Sequence, residues 1–143
     1  IAVLGANILG NSFESPAYYK KFARFLLSSG IDIFQLTLLT PLPGTDLMDQ
    51  LRDEGRINFK NYPDDWDRYR FSYMVHRPQG VTEEAIYSGN NYIKKKLYSF
   101  PFYQLRLLRS FFRLKRLPNF MVVYKLNQAF KKGWKNSHYY GKF

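Results

Sequence analysis

The sequence contains no cysteine and has only two histidines among its 143 residues, His76 and His138. Without cysteine the chain has no disulfide, no thiolate metal ligand and no catalytic thiol. The two histidines lie too far apart in the sequence to have the spacing of metal ligands. The sequence therefore predicts no metal site within the chain.

The sequence also has no apolar run long enough to span a membrane, and its first ten residues lack the basic leader and cleavage pattern of a secretory signal. The chain begins without methionine, directly at an apolar segment. We interpret Ile1 as a cut made just before a strand. The chain is then expected to be the tail of a longer, cytoplasmic protein.

Acidic residues are absent after Glu84, although the whole chain carries 22 basic and 11 acidic side chains. Residues 1–55 have four basic and six acidic side chains, a net charge of −2, whereas the remainder has eighteen and five, a net charge of +13. This change in composition predicts two regions. Residues 1–55 form an α/β part, and residues 56–143 form a basic, mainly helical C-terminal extension.

The sequence of residues 1–55 predicts the order strand, helix, strand, helix. Val3–Leu9 is a short apolar run typical of a strand, and Ser15 followed by a proline is typical of a helix start. A strand is predicted over Ile33–Leu39 and a second helix over Thr45–Glu54. Strand, helix and strand with short connections indicate a parallel pair.

The segment IFQLTLLTPLPGT, residues 33–45, predicts a binding site at a strand end. Phe34, Leu36 and Leu38 share one face of the strand, and the other face, with Gln35 and Thr37, is mixed. This pattern is typical of a parallel strand covered by helices on one side and open to a polar interior on the other. The prolines and the glycine that follow indicate a rigid loop at its carboxyl end.

The second region predicts one strand and three helices. Residues 56–67 read as a loop with Trp66 inserted into a core, and Tyr69–Val75 alternates like a strand. Helices are predicted from Thr82 to the break at Pro101, then over 102–117 and over 119–132, the last ending at Gly133. The carboxylates at 64, 65 and 67 lack calcium-loop spacing and favour a solvated turn, and His76 has no identifiable acid–base partner.

Four arginines of the 102–117 helix, at positions 106, 109, 113 and 116, fall on one stripe, with leucines and phenylalanines opposite. Three interpretations stay open. The helix packs on its own domain with a solvated basic face, or residues 102–135 contact an anionic membrane surface or a protein partner. Nucleic acid is the third and least favoured interpretation, and we do not expect it as a partner.

Residues 7–99 resemble the later part of cobalamin-binding radical S-adenosylmethionine (SAM) proteins, the group that includes the anaerobic magnesium-protoporphyrin monomethyl ester cyclase. The resemblance rests on ILGNSFESP at 8–16, SSGIDIFQLTLLTPLPGTDL at 28–47, EGRI at 54–57, Asp65-Trp66, Arg77-Pro78 and TEE at 82–84. TPLPGT followed by EGRI at this spacing is its most specific part. The residues after 100 carry no such resemblance.

The resemblance implies the late βαβα portion of a partial (β/α)6 radical SAM barrel, followed by a mostly helical extension. In that family a 4Fe-4S cluster cleaves S-adenosylmethionine to a radical, and cobalamin is bound by a separate upstream domain. Three cysteines ligate the cluster, and this chain has none. The chain is then a fragment of an iron–sulfur oxidoreductase or methyltransferase, inactive alone, without catalytic residues of its own. Its partners are the rest of the parent polypeptide and a small-molecule substrate that the sequence does not identify.

The candidate cofactor-binding residues lie at the two strand ends. The resemblance implies that Ile8 and Gly10 match the family's adenine-contacting pattern. That pattern has a glutamate three residues after the glycine, whereas Glu14 lies four residues after Gly10. Leu39, Thr40 and Pro41 are added because backbone groups at a strand end can hold an adenine edge. Asn7 and Ile8 cannot both face the interior, and the sequence does not choose between them.

The alternative function is a non-enzymatic α/β module that docks to a membrane surface, a protein or nucleic acid through its basic amphipathic helices. The interpretation of the chain as a truncated barrel can be tested without deciding between the two functions. Two strands separated from their neighbours expose unpaired edges, so we expect the chain to self-associate or to re-pair Val3–Leu9.

Overall fold

A computed structural model describes residues 1–59, 61 and 63–136. In this part of the chain a two-stranded parallel sheet is combined with five α-helices and one 3-10 turn. The elements are β1 Leu4–Leu9, α1 Pro16–Ser28, β2 Ile33–Leu38, α2 Asp46–Asp53, the turn Trp66–Arg68, α3 Glu83–Tyr98, α4 Phe102–Leu114 and α5 Leu117–Lys135. The expected α/β class is confirmed in this form, and the partial barrel stays a prediction.

The β1–α1–β2 unit is parallel, as predicted. Leu4 lies opposite Ile33, and Leu9 lies opposite Leu38. The hydroxyl of Ser15 accepts a hydrogen bond from the third backbone N–H of α1, and a proline occupies the first helical position. This cap satisfies a donor that the helix cannot pair internally, which fixes where the crossover begins.

The core lies on one face of the sheet. Leu9, Phe34 and Leu38 share this face and are at most 2% exposed. They join a single cluster with buried residues of α1, α3, α4 and α5, including Leu26, Ile93, Leu97, Leu107 and Val123. The apolar face predicted for the second strand therefore does pack against helices.

The opposite face of β1 is open. Leu4 is 44% exposed and Ile8 57% exposed, and they alternate with residues that face the core. Asn7 lies on the core-facing side, where its amide donates to the Gly5 carbonyl at 2.9 Å. Ile8 rather than Asn7 thus faces the side that a barrel interior would occupy.

The strand predicted over Tyr69–Val75 is wrong. Residues 69–75 have an irregular backbone that follows the 3-10 turn. Phe71 has a φ of 55°, which a residue in an extended strand cannot adopt. Its contact with the sheet is a hydrogen bond of 2.7 Å from the Leu38 N–H to the Phe71 carbonyl. An isolated antiparallel bridge between Ile57 and His76 follows. The core position predicted for Trp66 is also wrong, since this side chain is 43% exposed.

The arginine stripe of α4 is only partly solvated, because Arg109 and Arg116 are exposed whereas Arg106 is buried. Arg106 is 6% exposed, and its guanidinium lies 4.8 Å from the centre of the Phe34 ring. The side chains of Leu108 and Phe112 point outward instead, 53% and 68% exposed. The fully buried Asp32 pairs with Arg113 and accepts a hydrogen bond from Ser110, which turns these two side chains of α4 toward the core.

Two boundaries in the extension also differ from the prediction. Helix α4 ends at Leu114 because Lys115 takes a left-handed conformation, with φ 54°. Helix α5 then starts at Leu117, with Pro118 in its first turn, and continues through Gly133 to Lys135. Among the described residues no helix combines the length and apolar character needed to cross a bilayer.

Candidate functional site

The carboxyl ends of β1 and β2 meet at a loop organised by Glu14. Its side chain is 3% exposed, and Oε1 accepts hydrogen bonds from the backbone N–H groups of Gly10 at 2.8 Å and Asn11 at 3.0 Å. Oε2 accepts from the Tyr19 hydroxyl at 2.9 Å. Burial, and then this hydrogen bond, raise the pKa of Tyr19. Glu14 is thus directed at its own loop, a role that sequence reasoning missed.

Gly10 is required at its position by the backbone conformation. Its φ of 110° is one that side chains rarely adopt. A Cβ added to Gly10 would lie 3.4 Å from the Leu39 Cβ, and the Leu39 N–H donates to the Leu9 carbonyl at 2.7 Å. The structure therefore places Gly10 beside Leu39, as expected of two parallel strand ends.

Thr40 and Pro41 lie beneath the site surface. Thr40 is 8% exposed, and its hydroxyl donates to the Leu38 carbonyl at 3.1 Å. Pro41 is less than 2% exposed. Their side chains hold the loop in place, so any contact with a ligand would be made by their neighbours or by backbone atoms.

Ile8 is the most exposed of the five candidates. It lies opposite Thr37, whose hydroxyl donates to the Asn7 carbonyl at 3.2 Å. The Thr37 hydroxyl is thus bonded within the sheet, and the neighbouring Gln35 is half-buried. The surface offered here is mainly aliphatic.

Residues 74–80 cover the loop that follows β1. The Met74 Sδ would lie 3.4 Å from a Cβ at Gly10, and a Cβ at Gly80 would lie 3.4 Å from the Ser12 carbonyl oxygen. The Met74 N–H donates to the Tyr87 hydroxyl at 2.7 Å, which anchors this cover to α3. Sequence reasoning missed it because the alternation over 69–75 predicted a strand that includes Met74 and Val75.

His76 is 2% exposed, and its Nδ1 has no hydrogen-bond partner among the described residues. Burial, followed by the charge of Arg56, lowers the pKa of His76 to about 4. The ring is therefore neutral near pH 7, and within the described ranges no acidic side chain is bonded to it to relay a proton. His138 lies outside the described residues.

Over the described ranges no three histidine, aspartate or glutamate side chains come together as a metal site. Asp65 accepts a hydrogen bond from the Asn61 N–H at 2.9 Å, and Asp67 pairs with Arg70 at 2.6 Å. Both interactions belong to a polar turn. The thiolates of an iron–sulfur cluster cannot come from residues 1–143, which contain no cysteine. The donor set of this chain therefore does not fit such a cluster.

Comparisons with known proteins give one distant relative. No protein-family profile matches the chain, and no solved structure matches it. The bacteriochlorophyllide d C-12(1)-methyltransferase of Chlorobaculum tepidum is 26% identical over 98 residues. The alignment covers 68% of this chain but 20% of that protein. The chain thus spans about a fifth of the relative's length and is distantly related to a methyltransferase.

Proposed function

We propose that this chain is part of a radical SAM enzyme of the cobalamin-binding group that transfers a methyl group. Two features of the sequence support the proposal. The motifs TPLPGT and EGRI flank α2 as they do in the family that the sequence resembles, and the distant relative is a methyltransferase. On this proposal, other parts of the parent protein provide the cluster ligands and the cobalamin site and determine which substrate is bound.

The single observation that carries the proposal is the uncovered outer face of β1. Helices cover the face with Leu9 and Phe34, whereas Leu4 and Ile8 of β1 are exposed on the other face. Ligands of α/β folds bind beyond the carboxyl ends of parallel strands. Ile8 lies near this end of the open face, beside the loop that Glu14 fixes.

The residues of the chain then have distinct roles. Ile8 would pack against the flat face of the adenine, while Gly10 and Leu39 would shape the end of the pocket. Thr40 and Pro41 would hold this wall in position from beneath. Bound S-adenosylmethionine would supply the reactive nucleoside, and residues 74–80 would cover the substrate end and exclude water.

The test compares two alanine variants of the full-length enzyme, Ile8→Ala and Leu4→Ala. Both residues are exposed on the same face of β1, four positions apart, so Leu4 lies roughly 13 Å from Ile8 and farther still from the carboxyl end. We expect Ile8→Ala to raise the KM for S-adenosylmethionine about tenfold, which corresponds to about 1.4 kcal/mol of lost apolar contact. Leu4→Ala should leave it within about twofold. Equal effects of the two variants would exclude Ile8 from the adenosyl pocket.

A second candidate function is peripheral docking to an anionic membrane surface. The outward face of α4 is apolar, with Leu105, Leu108, Phe111 and Phe112 all at least 45% exposed. Phe100, just before the helix, is 83% exposed. Large exposed apolar patches mark interaction sites. Packing of this helix on its own domain was one of the three interpretations left open by the sequence, and the exposure of its apolar face favours docking instead.

The charge around this face selects an anionic membrane as its occupant. Arg109, Lys115 and Arg116 are exposed beside it, and the sequence has no acidic residue after Glu84. An apolar surface flanked by exposed basic side chains is the pattern of helices that lie in a membrane interface. Such a contact needs no spanning segment.

Vesicle sedimentation of the full-length protein tests this docking. We expect binding to phosphatidylglycerol vesicles, a loss of at least fivefold in Leu108→Ser/Phe112→Ser, and little binding to phosphatidylcholine. Phe25→Ser is the matched control, since Phe25 is 58% exposed on α1. If preceding parts of the parent protein cover the face instead, wild type will not sediment with vesicles and the double variant will lower the Tm.

A further inference from the structure

A cavity of about 360 Å³ lies along the edge of β2 that does not pair with β1. It is open to solvent on one side and is lined by β2, by residues 70–72 and by parts of α3 and α5. Its walls combine aromatic rings with polar side chains, among them Gln35, Thr37, Ser72, Lys94, Tyr98 and Trp134. A smaller cavity of about 40 Å³ adjoins it and shares Leu36, Phe71, Ser72 and Lys94.

The charged residues that line these two cavities are Arg70 and Lys94, and both are cations. Arg70 pairs with Asp67 at 2.6 Å. Lys94 makes no hydrogen bond or ion pair within the described part of the chain. Burial lowers the pKa of Lys94 to about 8 because it disfavours the charged form. A partly buried ammonium without a counter-ion is costly, and an anion brought into the cavity would offset that cost.

Asn90 supplies a second, independent sign of a ligand. It lies one helical turn before Lys94 on α3, lines the smaller cavity and is 8% exposed. Its Oδ1 has no donor among the described residues. Buried amide oxygens are nearly always hydrogen-bonded, so an unpaired one on a residue that lines a cavity indicates a site for a donor from outside the protein.

A second cavity of about 360 Å³ lacks such unpaired groups. It lies beside Trp66 and is lined by the charged residues Arg52 and Asp65. Arg52 pairs with Asp49 at 2.8 Å, and Asp65 accepts from the Asn61 N–H at 2.9 Å. Its charges are compensated within the fold, so nothing there requires a ligand.

We propose that the cavity along β2 binds a flat, apolar small molecule that carries a carboxylate. The carboxylate pairs with Lys94, and the flat part lies among the rings of Phe71, Tyr98 and Trp134. A hydroxyl or amine beside the carboxylate, or a water that accompanies it, donates to Asn90. The inference depends on this cavity alone and does not require the chemistry proposed above.

The test uses two fluorescent probes, 1-pyrenebutyrate and its uncharged analogue 1-pyrenebutanol, with the full-length protein. Binding is measured by fluorescence anisotropy at pH 7 and low salt. We expect Lys94→Met to weaken 1-pyrenebutyrate binding at least tenfold and to leave 1-pyrenebutanol binding within about twofold. Lys94→Arg, which keeps the charge, should restore most of the affinity. Lys95→Met is the matched control because Lys95 is exposed on the same helix.

A second measurement separates a binding role from a structural one. Reductively dimethylated lysines are followed by NMR as the pH is raised, and the Lys94 signal is assigned with Lys94→Arg. We expect it to titrate near pH 8 in the free protein and at higher pH with saturating 1-pyrenebutyrate, because a bound carboxylate favours the charged amine. An unmoved titration, or equal binding of both probes to wild type and Lys94→Met, would overturn the proposal.

Discussion

Arg113 forms an ion pair with Asp32, a fully buried carboxylate 81 positions earlier in the chain. The Asp32 carboxylate also accepts hydrogen bonds from the Ser110 hydroxyl at 2.5 Å and from the Val3 N–H at 2.8 Å. The Asn127 amide donates to the Asp32 backbone carbonyl at 2.9 Å. One acid at the start of β2 thus connects β1, α4 and α5.

This ion pair leads to a prediction for stability. Replacing Arg113 with methionine leaves the buried Asp32 charge without its counter-ion, which costs several kcal/mol in a fully buried pair. Because the Arg113 side chain is 39% exposed, solvent screens part of the interaction, and we expect a loss of about 1–3 kcal/mol in the free energy of unfolding. Urea denaturation measures it. Arg109→Met, one turn away and exposed, should change stability by less than about 0.5 kcal/mol.

Two glycines in helices should respond to alanine in opposite directions. A Cβ at Gly89 of α3 would overlap the Tyr19 ring of α1, whereas a Cβ at Gly133 of α5 would meet nothing within 4 Å. Gly89→Ala should therefore destabilise the fold by about 1–3 kcal/mol or more through overpacking. Gly133→Ala should stabilise it by about 0.5–1 kcal/mol because alanine favours a helix. Thermal unfolding of both variants checks the pair, and an equal shift in Tm would contradict this helix packing.

His76 should make stability depend on pH in a defined window. Its pKa is lowered to about 4 in the folded chain, from an ordinary value of 6.5. Between these values the unfolded chain binds the additional proton, so stability is fully present above pH 6.5 and is lost as the pH falls toward 4. The loss attributable to His76 amounts to about 3 kcal/mol. Unfolding measured between pH 4 and 7 should show a shallower slope in His76→Gln, and an unchanged slope would place the titration elsewhere.

One edge of β1 has no partner strand in the described sheet, so the prediction of self-association still stands. The described sheet has two strands, and Leu4 and Ile8 remain exposed on the strand at its edge. We expect residues 1–143 expressed alone to form dimers or larger species in sedimentation velocity, and Ile8→Lys to shift them toward monomer. A monodisperse wild-type monomer at high concentration would contradict the expectation.

Local signals in the sequence predicted the helix starts well. Ser15, Thr45 and Thr82 each cap a helix with a side-chain oxygen that accepts a backbone hydrogen bond. These motifs depend on residues three positions apart, so neighbouring sequence is sufficient to predict them. The parallel order of the two strands followed from the same local reasoning.

Apart from the helix boundaries near Lys115 and Gly133, the errors concern contacts between distant residues. The periodicity of α4 indicates two faces but does not predict which of them packs against the core. The orientation of the helix depends on the bond between Arg113 and Asp32, which lies 81 positions earlier in the sequence. Alternating aromatic residues predicted a strand over 69–75, yet Phe71 adopts a φ of 55° and bonds to the sheet at one point. The candidate site is similar. Strand ends could be predicted, but the burial of Thr40 and the inward role of Glu14 depend on loops that fold over them.

The hydrogen bond from Leu38 to Phe71 also determines how the sheet can be extended. An additional strand pairing along the whole of β2 would have to displace residues 70–72, whereas the flank of β1 is free to accept one. Extension of the sheet is therefore directional. Any strand contributed by another part of a parent protein is expected to align next to β1.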